Sequence, residues 1–144
     1  MKHQQGFSLI EVLIALVVLA FGLMGVAAMQ MKALQSATEG YQRSIAVVAA
    51  VDAQERIWNL LANYSSCEAI DAGAVSALEG DWVDHWSANT SVNPLRGANW
   101  DNSGITASGG CEFIIVIALN SVSSNSEEEY RYRFILPNTG GATI

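Results

Sequence analysis

The chain has 144 residues, enough for one domain with one core, and 51% of them are hydrophobic. Fourteen acids against seven bases leave a net charge of −7, so no basic patch exists to neutralise phosphates and nucleic-acid binding is disfavoured. No nucleophile–base pair, phosphate loop or metal-ligand set stands in the sequence, which argues against an enzyme and against a cofactor.

The first element is an apolar run. Between Phe7 and Met29 only Ser8 and Glu11 are polar. Twenty-three helical residues reach about 35 Å, enough to cross a ~30 Å hydrocarbon core. Lys2 and His3 precede the run, and the next basic residue is Lys32. That asymmetry places the N-terminus in the cytoplasm and the bulk of the chain outside. The run is too long for an ordinary secretory signal, although "GVAAM" imitates a cleavage site. A plain anchor does not explain Glu11, because a carboxylate inside lipid is costly and points to a function. Ser8-Leu9-Ile10-Glu11 also fits the S-x-x-E capping box, which would start the helix near Ser8.

"GFSLIEV", after a basic and polar leader of residues 1–6, resembles the class III signal of type IV prepilins. The resemblance implies that a prepilin peptidase cuts on the cytoplasmic side between Gly6 and Phe7, and that the new amino-terminal Phe7 is N-methylated. It maps the family's glutamate onto Glu11. The cut would create a protonated α-amine at Phe7, with a reference pKa of ~7.7–8. The Phe7 amine of a neighbouring subunit is the natural counter-ion for Glu11, since an unpaired carboxylate in a low-dielectric bundle is costly. Glu11 is then expected to pin the register of assembly.

From Met29 to about Tyr64 there is no proline, and Gly40 is the one glycine. Apolar residues at Leu34, Ala37, Tyr41, Ile45, Val48, Ala49, Ala53, Ile57, Leu60, Leu61 and Tyr64 follow a helical period. One helix is predicted from about Phe7 to Asn63. Residues 7–29 would lie in the membrane or a filament core, and residues 30–64 would form the amphipathic half. Ala46, Ala49, Ala50 and Ala53 make a small-residue face suited to close packing on a sheet, with a helix–helix contact as the alternative.

Residues 65–110 are rich in glycine, serine and asparagine and read as loops with aromatic clusters. "GDWVDHW" brings Asp81, Asp84 and His85 close in sequence, but no second histidine or cysteine pair supports a metal site. Trp82 and Trp86 are expected to cover the sheet or the helix, and Trp100 to lie in a loop. "CEFIIVIALN" reads as a central strand. "EEYRYRFILP" alternates Tyr130, Tyr132 and Phe134 with Arg131 and Arg133, so it reads as a strand with one wet face. The two should pair antiparallel through the polar loop "SVSSNSEE". Cys67 and Cys111, the two cysteines, would form one disulfide if this part is exported, tying the sheet to the end of the helix; in a reducing compartment they would be two buried thiols. "LPNTG" at Leu136–Gly140 matches a sortase pentapeptide, but only "GATI" follows, so it reads as a strand end and a turn.

"EVLIALVVLAFGLMGVAAMQ" and "AVDAQERIWNLLANY" resemble, over roughly the first 64 residues, minor pilins of the pilus-modification (PilV) type. Major pilins carry a proline midway along the apolar half of the helix, and "LMGVAAMQM" has none. The resemblance implies an α+β type IV pilin fold, a long N-terminal helix packed on a C-terminal antiparallel sheet, with residues 65–144 as a periplasmic head. It implies assembly with other minor pilins, and contacts with the major pilin and a tip adhesin. Such a chain would begin in the inner membrane and end in a Gram-negative type IV pilus serving adhesion and twitching. A minor pseudopilin of a type II secretion system would share the signal and the helix. A membrane-anchored periplasmic binding domain that never assembles is the reading from another class.

Overall fold

Alanine, leucine and valine are the commonest residues of the N-terminal third, and no proline interrupts it. Such a sequence favours helix. In the computed structural model, which describes residues 8–120 and 127–138, that helix is α1, Leu9–Leu61. A short 3-10 turn follows at Cys67–Ala69, then α2 at Ala72–Ser87. Three strands complete the chain: β1 Asn99–Gly109, β2 Glu112–Asn120 and β3 Glu127–Ile135. The chain divides into two compact units, residues 1–38 and 39–144.

The described part of the first unit is helical from Leu9 onward, and its apolar side chains are open, from Leu9 at 85% exposure to Phe21 at 71%. This stretch makes α1 long and apolar enough to cross a membrane.

The second unit begins within α1, at Glu39, and holds the core. Its sheet has the order β1-β2-β3, antiparallel throughout. The β2–β3 register runs from Glu112↔Ile135 to Asn120↔Glu127. Phe113, Ile115, Ile117 and Leu119 alternate into the core, and Phe113 stacks on Phe134 at 5.6 Å. Tyr130, Tyr132 and Phe134 pack against the same cluster, while Arg131 and Arg133 stay exposed. A long helix with a three-stranded antiparallel sheet is the α+β arrangement of the type IV pilin fold.

Several expectations need correction. Residues 65–110 are not mainly loop: α2 lies there, started by Asp71, whose carboxylate accepts from the Ala74 N–H at 2.8 Å. That is an ordinary N-cap. The helical stripe through Leu34, Tyr41 and Val48 is not the buried one; these residues are 70%, 57% and 54% exposed. The buried stripe is Ala46, Ala49, Ala50, Ala53 and Ile57, all fully inaccessible. It shares one cluster with Trp82 of α2 as well as with the sheet, so the small side chains admit a second helix and not only strands. Trp100 lies in β1 and not in a loop.

β1 is irregular for a physical reason. Its register jumps between Asn99↔Ala118 and Gly104↔Val116. Across the gap the Ser103 hydroxyl donates to the Asn99 carbonyl at 2.7 Å and accepts from the Ala118 N–H at 2.9 Å. A side chain thus replaces part of the ladder, as a bulge requires. Gly104 is the close-approach position: a Cβ there would stand 2.8 Å from Glu79 Oε1 of α2.

Candidate functional site

The first candidate is the start of α1. The Ser8 carbonyl accepts from the Glu11 N–H at 3.0 Å and from the Val12 N–H at 3.3 Å, closing the first turn. The Glu11 N–H therefore serves the Ser8 backbone carbonyl and not the hydroxyl that a capping box would use. Glu11 is exposed, set between exposed Ile10, Val12 and Leu13 on a helix with no other acid before Glu39. A carboxylate in that setting is costly in lipid or in a helix bundle, and a cationic partner lowers that cost. Gly6 and Phe7, the expected cleavage site, lie outside the described residues.

The second candidate is the closure of the head. Cys67 and Cys111 are joined by a disulfide, with Cα atoms 5.4 Å apart across a sequence separation of 44. Cys67 opens the 3-10 turn after α1, and Cys111 sits in the β1–β2 turn. That turn has three successive positive φ angles, Gly109 at 87°, Gly110 at 60° and Cys111 at 67°. Two glycines adopt this region without a Cβ penalty; Cys111 does not. The chain leaving β3 crosses the same place. Buried Leu136 donates its N–H to the Cys111 carbonyl at 2.9 Å, and Asn138 Nδ2 reaches Glu68 Oε1 at 3.3 Å. Leu136 and Pro137 of the "LPNTG" stretch thus follow directly on β3, and its last two residues lie outside the described residues. One cross-link secures the end of α1, the β1–β2 turn and the exit of β3.

Between these, α1 and α2 are held by polar bonds that keep the heads of the indoles satisfied. Trp82 is fully buried, donates Nε1–H to the Ala49 carbonyl at 3.0 Å and meets Trp100 edge-on at 5.4 Å. Trp86 Nε1 donates to Asp52 Oδ2 at 3.0 Å, and Arg56 Nε donates to the same oxygen at 3.0 Å. Tyr132 of β3 donates to Gln54 Oε1 at 2.6 Å, and Arg43 pairs with Glu128. The tryptophans thus lock the helices rather than forming a binding cleft. Asp81, Asp84 and His85 lie exposed on α2. Among the described residues, no group of three or more His, Cys, Asp or Glu is arranged to hold a metal.

Two ionisable groups are shifted at the α1–α2 junction. The Ala74 N–H, with the Tyr64 hydroxyl adding to it, holds the Asp71 carboxyl below its usual range. Desolvation raises the Tyr64 phenol, and the charge of Asp71, to which it donates at 3.3 Å, raises it further.

Sequence reading missed α2, whose signal was present. Asp71 stands at the cap, and Val75, Leu78, Trp82 and Trp86 follow at helical spacing. It also missed the hub of the α2–β1 loop: Asn93 Nδ2 donates to the carbonyls of Trp86 and Ala88 at 2.6 and 2.9 Å, and its Oδ1 accepts from the Leu95 N–H. No local pattern announces that hub.

Comparison with known proteins adds one finding at the N-terminus. No curated protein and no solved structure matches the chain. Residues 1–27 match the family model of the prokaryotic N-terminal methylation motif, and that span contains Gly6, Phe7 and Glu11. The chain therefore carries a prepilin-type N-terminal methylation signal at the start of an apolar helix, a combination that supports a pilin-like protein.

Proposed function

We propose that the chain is a minor pilin of a Gram-negative type IV pilus, assembling with other minor pilins to prime the filament or form its tip. The observation that carries this reading is the methylation motif of residues 1–27 on a helix apolar enough to span a membrane. In this reading prepilin peptidase cuts between Gly6 and Phe7, and Phe7 is N-methylated. Glu11 then pairs with the Phe7 amine of a neighbouring subunit and sets the stagger between helices. The head faces the periplasm, an oxidising compartment that suits the Cys67–Cys111 bond. The chain waits in the inner membrane and moves to the pilus, where the major pilin and a tip adhesin are further partners. The missing proline in "LMGVAAMQM" favours a minor over a bulk subunit. The proposed role is structural and not catalytic.

The test is mass spectrometry of the mature N-terminus together with co-purification. The expected result is a chain starting at methylated Phe7 that travels with pilus components. An intact Met1 terminus in cells with active prepilin peptidase overturns the assignment. Co-purification with secretion components instead makes the chain a pseudopilin of a type II secretion system.

A further inference from the structure

The two outer strands of the sheet are protected differently. β3 carries Glu127, Glu128, Glu129, Arg131 and Arg133, and charges on an outer strand deter another chain from pairing with it. β1 has no charge and no proline across residues 102–109. Its register shifts fall near its ends, so residues 104–107 pair with β2 without interruption. Thr106, Ala107, Ser108 and Gly109 are exposed. Among the described residues no strand lies on the other side of β1, which leaves a row of backbone N–H and C=O groups facing outward. A hollow lies on each side of that edge. Ile105, Phe113 and Ile115 point into the core, so alternation turns Gly104, Thr106 and Val116 to the opposite face. There they line a hollow of about 360 Å³ with Glu79 of α2 and Asp101. Among the described residues no cation lies within ion-pair distance of Glu79 or Asp101, and Arg131, at the far wall, is paired with Glu129. On the core side, Ala107, Gly109, Phe113 and Ile70 line a second hollow of about 240 Å³ beside the disulfide.

We propose that the free edge of β1 takes up an extended segment of a partner protein as a fourth strand, with a lysine or arginine facing Glu79 and Asp101 and an aliphatic side chain in the hollow at Ile70 and Phe113. Successive residues of a strand point to opposite faces, so the base and the aliphatic residue stand an odd number of positions apart. Main-chain hydrogen bonds hold the segment, and the two hollows select its side chains. The base is required because the first hollow is acidic, and an acid brought there meets like charge. A second copy's β1 is therefore the wrong occupant: "NWDNSGITASG" contains an acid and no base. The inference concerns the head, and it stands whether the chain serves a pilus or a secretion filament.

The test uses the full chain in detergent micelles and a synthetic peptide, acetyl-Thr-Val-Lys-Val-Thr-amide. Hydrogen exchange should slow at backbone amides of residues 105–109 when the peptide saturates the protein, and fluorescence polarisation of labelled peptide reads its affinity. Replacing the peptide's lysine by glutamate should weaken binding about tenfold or more. Methylating one of the two alternate sets of peptide nitrogens should abolish binding and the other set should not, because a strand turns only alternate N–H groups toward its neighbour. Glu79→Lys with Asp101→Lys should reverse the preference toward the glutamate peptide, and the milder Glu79→Gln should lower the lysine peptide's advantage. No binding at millimolar peptide overturns the proposal, as does binding without slowed exchange in residues 105–109. Equal affinity for the two peptides, or a Glu79→Gln chain that keeps the full preference, also overturns it. Dimers that protect the same amides without peptide overturn it as well, because a second copy is then the occupant.

Discussion

Removing the disulfide has two separable effects on the head, because Cys111 is both a cross-link and a strained backbone position. With 44 residues of separation, the chain-entropy model assigns the bond about 4 kcal/mol. Cys111 also holds φ at 67° after two glycines, where a residue with a Cβ costs about 1 kcal/mol that glycine avoids. That backbone cannot relax freely, because the Cys111 carbonyl accepts from the N–H of buried Leu136. A head fragment beginning at Glu39 with Cys67→Ala and Cys111→Ala should therefore lose about 4 kcal/mol. The pair Cys67→Ala and Cys111→Gly should lose about 3 kcal/mol, the difference being the relieved left-handed strain. Urea unfolding followed by circular dichroism measures both, with oxidised wild type as reference. Two outcomes refute the reasoning. A loss under about 1 kcal/mol in both variants means the bond does not restrict the unfolded chain as calculated. A glycine variant no more stable than the alanine variant means that position 111 is not held in the left-handed region.

The two faces of α1 should respond oppositely to substitution. Ala50→Leu overpacks the buried cluster around α1 and should cost about 1–3 kcal/mol, while exposed Val48→Ala should stay within about 0.5 kcal/mol; thermal melts of the head compare them. Trp82→Phe removes the donor to the Ala49 carbonyl and part of a fully buried ring, and should cost about 2–4 kcal/mol. The depressed Asp71 carboxyl contributes stability that is fully present above the unfolded carboxylate value, about 3.9, and is lost as pH falls through the folded value. Asp71→Asn should flatten that acid limb in urea midpoints taken from pH 5 downward, and an unchanged limb would reject the cap assignment. Glu11→Gln should leave processing intact and weaken capture of other minor pilins, read by a processing blot beside co-immunoprecipitation; undiminished capture would remove the register role.

Local chemistry determined much of this protein. An apolar, proline-free run favours helix, and the motif that contains Gly6, Phe7 and Glu11 is legible because it is a linear segment, residues 1–27. β2 and β3 were legible as well, since the continuous apolar run "FIIVIAL" marks a central strand and "YRYRF" alternates between a packed and a wet face. The small-residue face of Ala46, Ala49, Ala50 and Ala53 was legible as a packing face, and all four are buried. The larger residues were not: Val48 fits the same helical stripe, and only packing against Trp82 and the sheet decided that Ile57 goes inward and Val48 stays out. α2 carried its signal, the Asp71 cap and the helical spacing of Val75, Leu78, Trp82 and Trp86, under a run of glycine and serine that reads as loop. β1 did not, because its glycines and serines carry weak local preference and it holds its form through a distant partner, Ser103 on the Ala118 N–H. Residues whose conformation depends on an atom 15 positions away leave little signal in their own neighbourhood, and only the tertiary structure brings those atoms together.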